Sequence, residues 1–347
     1  PQLTPTPALR AAGENGGVGP RPAVADVRRM VREALADVPE GSLVLAACSG
    51  GADSLALAAA LGFAGPRAGL RTGLVSVDHQ LQEGSGERAA RVAALAEELG
   101  LGFGEVRTVE VGTAGGPEAA AREARYGALK EAAGAHGAAA VLLGHTRDDQ
   151  AETVLLGLAR GSGLRSLAGM AGTTGVYRRP FLEISRATTV GACEALGLSP
   201  WQDPHNDDPR FTRVRVRNVA LPILERELGP GVAEALARTA ALAREDADAL
   251  DQWAESAYQD CALSDIAGNV TLAVRALEGV PGAVRTRVLR RAALAAGAPS
   301  GALSAGHVRA VDRLITRWHG QKAVDLPGGL TAVRRYGTLI LAISPIA

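Results

Sequence analysis

The hexapeptide Ser49-Gly50-Gly51-Ala52-Asp53-Ser54 follows the apolar run Leu43 to Cys48 and precedes a second one, Leu55 to Leu61. A buried strand that turns through two glycines into a helix leaves backbone amides pointing at whatever sits above the helix N-terminus, where the macrodipole also favours an anion. Gly50 and Gly51 would supply those amides, and the Ser49 and Ser54 hydroxyls would add donors. Asp53 repels a phosphate, so its chemistry there is to hold Mg²⁺ or to cap the helix. As a whole the string is a cradle for pyrophosphate.

Further polar residues stand after other apolar runs. Asp78 and His79 follow Gly73 to Val77, and Gly144 and His145 follow Ala139 to Leu143. His145 opens Thr146-Arg147-Asp148-Asp149-Gln150-Ala151-Glu152-Thr153, in which Asp148 and Glu152 are four apart and would share one face of a helix. Acidic residues in a first helical turn favour the dipole by about 0.3 to 1 kcal/mol each. Three carboxylates beside a histidine could also bind Mg²⁺ or an ammonium group, while His145 could meet phosphate or charge developing in a transition state. Beyond the Arg160-Gly161-Ser162-Gly163 turn lies Arg210-Phe211-Thr212-Arg213-Val214-Arg215-Val216-Arg217. In an extended chain its last arginines would form one basic face and the valines one apolar face, whereas on a helix start the arginines would scatter.

These residues need elements to hold them. Strands are expected at Leu43 to Cys48, Gly73 to Val77, Gly104 to Val109 and Ala139 to Leu143, with helices near Val24 to Ala36, Glu87 to Leu99 and Pro117 to Ala133. Near-continuous apolar strands joined by helices imply an α/β fold with a Rossmann-like parallel sheet covered on both faces, and ligands at the strands' carboxyl ends. Residues 1–22, rich in Pro, Gly and Ala, are expected to be a disordered leader, and 23–247 the catalytic domain. A long helix, Val232 to Cys261, leads into a smaller α+β domain over 248–347, with a strand at Val270 to Val274, helices at Val284 to Ala296 and Ser304 to Arg317, and short strands within Lys322 to Ile343.

Composition removes several classes. Lys+Arg and Asp+Glu both total 37, so no global basicity marks a nucleic-acid protein and any RNA site must be local. Cys48, Cys193 and Cys261 are widely separated, which argues against a disulfide framework or a zinc knuckle and suits a cytoplasmic location. Apolar runs fall short of a membrane span, and neither G-x-x-x-x-G-K-[ST] nor G-x-G-x-x-G occurs.

S-G-G-x-D-S resembles the fingerprint of the pyrophosphatase-loop (PP-loop) ATP enzymes. With it, Gly144 to Gly163, Asp78-His79 and Ala121-Arg122-Glu123-Ala124-Arg125-Tyr126 resemble tRNA(Ile)-lysidine synthetases over roughly Leu43 to Asp246. One departure is Gln82, where that family commonly has arginine. The resemblance implies an adenine nucleotide alpha hydrolase-like fold and an ATP- and Mg²⁺-dependent ligase. It would join free L-lysine to the wobble cytidine of a CAU-anticodon tRNA(Ile) through an adenylated intermediate. It further implies ATP contacts from Ser49, Gly50, Gly51, Asp53, Ser54, Asp78, His79, Gly144 and His145, and metal contacts from Asp53 and Asp149. Asp53, His145, Asp148, Arg215 and Arg217 would act in catalysis, and Asp148, Asp149 and Glu152 would hold lysine. Arg122, Arg125, Arg160, Arg210 and Arg213 would meet tRNA; if the four arginines 210 to 217 all neutralised phosphates, the log-log salt slope from them would be about −3. Whether the chain works alone or as a homodimer is left open.

Overall fold

The computed structural model describes residues 21–112, 116–161, 163–203, 207–263 and 269–343. The leader expected over 1–22 lies outside the described residues as far as residue 20, and Pro22 already sits in the first turn of a helix. The chain divides into two compact units, Pro1–Arg244 and Glu245–Ala347.

The first unit alternates strand and helix: α1 (Pro22–Ala34), β1 (Leu43–Ala47), α2 (Ala52–Arg67), β2 (Arg71–Asp78), α3 (Ser85–Glu98), β3 (Gly104–Thr108), α4 (Pro117–His136), β4 (Ala138–Leu142) and α5 (Arg147–Ala159). After the short α6 (Leu164–Leu167) and the hairpin β5 (Thr173–Thr174) and β6 (Tyr177–Arg178) come α7 (Arg186–Ala195), α8 (Thr212–Arg215), a π-helical turn (Val216–Ala220) and α9 (Leu221–Leu228). The sheet order is β3-β2-β1-β4-β6-β5, parallel except for the β5 edge. Successive strands run outward from β1 to β3 and then resume on the other side with β4. The order therefore reverses between β1 and β4, and a crevice opens at their carboxyl ends.

Strand parity shows why these runs fold so. In β1, Val44 and Ala46 face a core made with α1, α2 and α7, whereas Leu43 and Leu45 face a second core with Leu129, Ala132 and Ala133 of α4. Ala140 and Leu142 divide from Val141 and Leu143 in the same way. Both faces of the sheet are thus buried, which is what a near-continuous apolar strand requires.

Helix α10 (Val232–Cys261) crosses the boundary between the units. In the second unit β7 (Val270–Ala273), α11 (Val274–Glu278), α12 (Gly282–Ala295), α13 (Ala305–Thr316), β8 (Val324–Leu326), β9 (Leu330–Arg335) and β10 (Thr338–Ile343) build an antiparallel sheet of order β7-β10-β9-β8. Its core joins Leu272, Leu339 and Leu341 of the sheet to Val284, Val288, Val311 and Leu314 of the helices.

Of the two readings of Arg213 to Arg217, an extended strip or a helix start, the structure has the helix. Thr212–Arg215 is an α-turn, and Val216–Ala220 widens to π geometry. Pro222 has no N–H to give the Asn218 carbonyl, which favours the wider turn ahead of it. Helical spacing then sends Arg213 and Arg217 to one face and Arg215 to another.

Candidate functional site

The loop after β1 and the loop after β4 meet at the reversal point. A methyl group on Gly144 would lie 3.0 Å from the Asp53 carbonyl, so the two loops approach as only glycine allows there. Gly50 has φ +86° and a buried backbone, and its carbonyl accepts from the Trp201 amide at 2.9 Å. Inside the turn the Ser54 hydroxyl accepts from the Ser49 amide (3.2 Å) and donates to the Gly51 carbonyl (2.9 Å), which shapes the cradle without using the outward amides.

A cavity of about 890 Å³ lies over this cradle, a volume within the usual range for small-ligand sites. Of the residues singled out in the sequence, Ser49, Gly51, Asp53, Ser54, His79, Gly144, His145 and Asp149 line it. So do Arg122, Arg125, Arg213 and Arg217. His79 Nδ1, His145 Nδ1 and Arg125 Nε are buried there without a hydrogen-bond partner among the described residues. Buried nitrogens left so are costly, and the oxygens of a polyphosphate would satisfy them. Burial and then the Arg125 guanidinium hold the His145 pKa down at about 3 and also lower that of His79, so both imidazoles are neutral at pH 7.

Arg186, at the start of α7, was not singled out in the sequence and organises one wall. Its Nη2 donates to Asp149 Oδ1 at 2.9 Å, its Nε to Asp53 Oδ2 at 3.4 Å, and its Nη1 lies 3.6 Å from Glu152 Oε1. Its backbone amide donates to Asp148 Oδ2 at 2.8 Å. Thr189, one turn on, donates to Asp53 Oδ1. Desolvation is the largest influence on Asp53 and raises its carboxyl above the usual range, although Thr189 and Arg186 pull the other way. Burial pushes Asp149 up too, but Arg186, the Thr146 amide, His145 and Arg217 outweigh it and leave its pKa lowered.

Several expectations are corrected. Asp148, Asp149 and Glu152 are not a free acidic cluster. Asp148 caps α7 through the Arg186 amide, and Asp149 closes a capping box with Thr146. Glu152 is wholly buried and behind the cavity wall: Arg217 grips it through Nε (2.6 Å) and Nη2 (3.1 Å), and Arg213 Nε stands 3.3 Å away. Arg215 turns away from these groups and donates to the Pro209 and Arg210 carbonyls at 2.6 and 2.9 Å. Asp78 is buried below the cavity, where it accepts from the Gln80 amide in a local turn. Arg160 ends α5 and is exposed, as is Arg210, which pairs with Asp208. Gln82 donates to Asp203 at 3.0 Å and accepts from Arg88, whose guanidinium lies 3.8 Å over the Trp201 ring. Guanidinium charge therefore persists beside position 82, on the next helix.

Among the described residues no group of three or more His, Cys, Asp or Glu is arranged to hold a metal ion. Asp53 and Asp149 are two carboxylates bridged by one guanidinium. Two protein carboxylates suit a Mg²⁺ that takes its remaining ligands from phosphate and water.

A glycine-rich cradle on β1, facing a second loop across the reversal point of a Rossmann-like sheet, defines a PP-loop ATP-binding domain. The PP-loop domain family matches residues 24–224, and the TilS substrate binding domain family matches residues 272–340. The tRNA(Ile)-lysidine synthase of Thermobifida fusca is 62% identical over 324 residues, 93% of this chain and 99% of that protein. The enzyme of the same name from Streptomyces coelicolor is 55% identical over 353 residues, with the same coverage of both chains. The chain belongs to the tRNA(Ile)-lysidine synthase family. A solved structure, the U34-tRNA thiolase NcsA from Methanococcus maripaludis with its [4Fe-4S] cluster, shares the fold with TM-score 0.53 at 18% identity, covering 67% of this chain and 82% of that one.

Proposed function

We propose that the chain joins L-lysine to the wobble cytidine of a CAU-anticodon tRNA(Ile) at the expense of ATP, with release of AMP and pyrophosphate. The observation that carries this reading is the cavity itself: phosphate-ready amides, orphaned histidine and arginine nitrogens, and a wall of charge-paired carboxylates meet at one reversal point. In the first step the cytidine C2 oxygen bonds to the α-phosphorus and the bond to pyrophosphate breaks. In the second, the lysine ε-nitrogen bonds to C2, the C2–O bond breaks with loss of AMP, and the nitrogen gives up a proton.

The Ser49 to Ser54 amides would receive pyrophosphate, and Arg125 with His145 would donate to phosphate oxygens. Asp53 and Asp149 would hold Mg²⁺, which supplies charge neutralisation on the phosphates. Of the carboxylates first considered for the lysine ammonium, Asp149 is the one that lines the cavity. Arg122 and Arg213 stand on the wall and Arg160 and Arg210 on the surface, where tRNA would meet them; the second unit would hold the body of the tRNA.

A thiolase-like reaction finds no support in the thiols. Cys48, Cys193 and Cys261 are buried, and burial raises all three, Cys193 to about 12, so none is a ready thiolate. Incorporation of labelled lysine into a tRNA(Ile) transcript tests the proposal, with the wobble cytidine changed to uridine as control. Cytidine-dependent labelling is expected; ATP-dependent AMP formation without lysine transfer would require a different nucleophile.

A further inference from the structure

The β9–β10 hairpin closes through Tyr336 and Gly337, since Arg335 pairs with Thr338 in the ladder. Both turn residues have positive φ, +45° and +85°, the signature of a type I′ turn. Glycine and asparagine adopt that conformation readily; a tyrosine there is strained by its Cβ. Strain of this kind persists where something over-determines it, and among the described residues nothing rewards this side chain, because Tyr336 is fully exposed at 106%.

The surroundings of the turn are cationic. Arg335 is exposed beside it. The Val274 amide donates to the Gly337 carbonyl at 2.9 Å, which brings the next residue, exposed Arg275, to the same tip. Among the described residues neither Arg335 nor Arg275 has a side-chain ion pair. Arg334 points to the other face of the strand, where it donates to the Leu314 and Ile315 carbonyls, lies 5.4 Å from the Trp318 ring and meets Glu278 at 3.6 Å. An exposed aromatic ring at a turn that also carries two exposed guanidinium groups is complementary to an unstacked base with its flanking phosphates.

We propose that Tyr336 is a stacking platform for an unpaired base of the tRNA substrate, with Arg335 and Arg275 on the adjoining phosphates. This rests on the tRNA-dependent reading above. Stacking is indifferent to base identity, so the contact adds affinity and orientation rather than sequence choice. The strained turn presents the ring outward, where an asparagine in the same turn would present none.

The experiment measures tRNA affinity and thermal midpoint on the full chain and on Tyr336→Asn and Tyr336→Phe. Tyr336→Asn should raise the midpoint by relieving the turn and weaken tRNA binding about tenfold, within the range expected for one base on an aromatic ring. Tyr336→Phe should match the unaltered chain in both, because it keeps the ring and the strain. Replacing Arg275 and Arg335 by alanine should flatten the log-log salt slope by about 1.4 to 1.8. If the unaltered chain binds tRNA and Tyr336→Asn binds within twofold of it, the platform is refuted while the tRNA reading stands. If the unaltered chain binds no tRNA, both fall together.

Discussion

Arg186 bridges the PP-loop to the acidic helix, so its removal should disturb both stability and chemistry. Arg186→Met keeps the stem and deletes a guanidinium that reaches Asp53, Asp149 and Glu152 at 3.4, 2.9 and 3.6 Å. Breaking a buried charge pair costs about 3 to 5 kcal/mol when the partner is left alone. Here Asp149 and Glu152 keep Arg217, and the Arg186 and Asp53 side chains are 25% and 23% exposed, so the expected loss is about 2 to 3 kcal/mol. For a unit of this size that lowers the melting midpoint by roughly 5 to 10 °C. The loss must depend on pH in a definite direction. Asp53 is already raised by burial, and without Arg186 it rises further, so it takes up a proton more easily as the pH falls. The gap between the two proteins should therefore be widest near pH 7 and narrow towards pH 5. tRNA-dependent AMP formation should fall about a hundredfold at pH 7, the scale seen when a preorganised charge is removed. A variant with near-normal AMP formation, or a stability gap that stays constant from pH 7 to 5, would refute the bridging role.

His145 is held neutral with a folded pKa of about 3, below its unfolded value, so the unfolded chain binds the extra proton in between and stability falls as pH drops below about 6.5. At pH 5 this amounts to about 2 kcal/mol, and His145→Gln should remove that part of the acid sensitivity in urea unfolding at pH 7 and pH 5; an unchanged pH dependence would count against the neutral imidazole. Arg217→Ala should cost about 2 to 3 kcal/mol and most of the AMP-forming activity, whereas Arg215→Ala, which loses two contacts to backbone carbonyls, should cost about 1 kcal/mol and keep activity within a few-fold. Equal losses for the two would contradict their placement on opposite faces of the turn.

The central sheet was legible because both its faces are covered, so each strand reads as an apolar run whatever its neighbours do. The cradle was legible because its residues are contiguous. The wall of the site was not, because it is assembled across the chain: Arg186 and Thr189 reach Asp53 from more than 130 positions away, and a serine-capped helix start such as Ser185-Arg186 is an ordinary surface pattern. The arginine strip was ambiguous for a different reason. Arg-Val-Arg-Val-Arg fits a period of two, yet residues 213 and 217 are also four apart, and only tertiary contact with Glu152 decides between strand and helix. The burial of Glu152 was not legible either, since a carboxylate on a cavity-facing helix and one beneath that helix have the same spacing.

Charge pairing also constrains how the site must operate. Asp53, Asp149 and Glu152 are matched by Arg186, Arg213 and Arg217. Arg122, Arg125 and the cradle amides would attract phosphate, on a cavity wall that also carries Glu194, Asp203 and Asp207. A Mg²⁺ or a lysine ammonium would gain Asp53 or Asp149 by displacing a guanidinium. That exchange is favourable when the released guanidinium finds a phosphate oxygen, which nucleotide brings into the same cavity. If Asp53 and Asp149 take a cation, its binding would be coupled through Arg186 to that of nucleotide, and a cation should bind these two carboxylates more weakly alone than with nucleotide present.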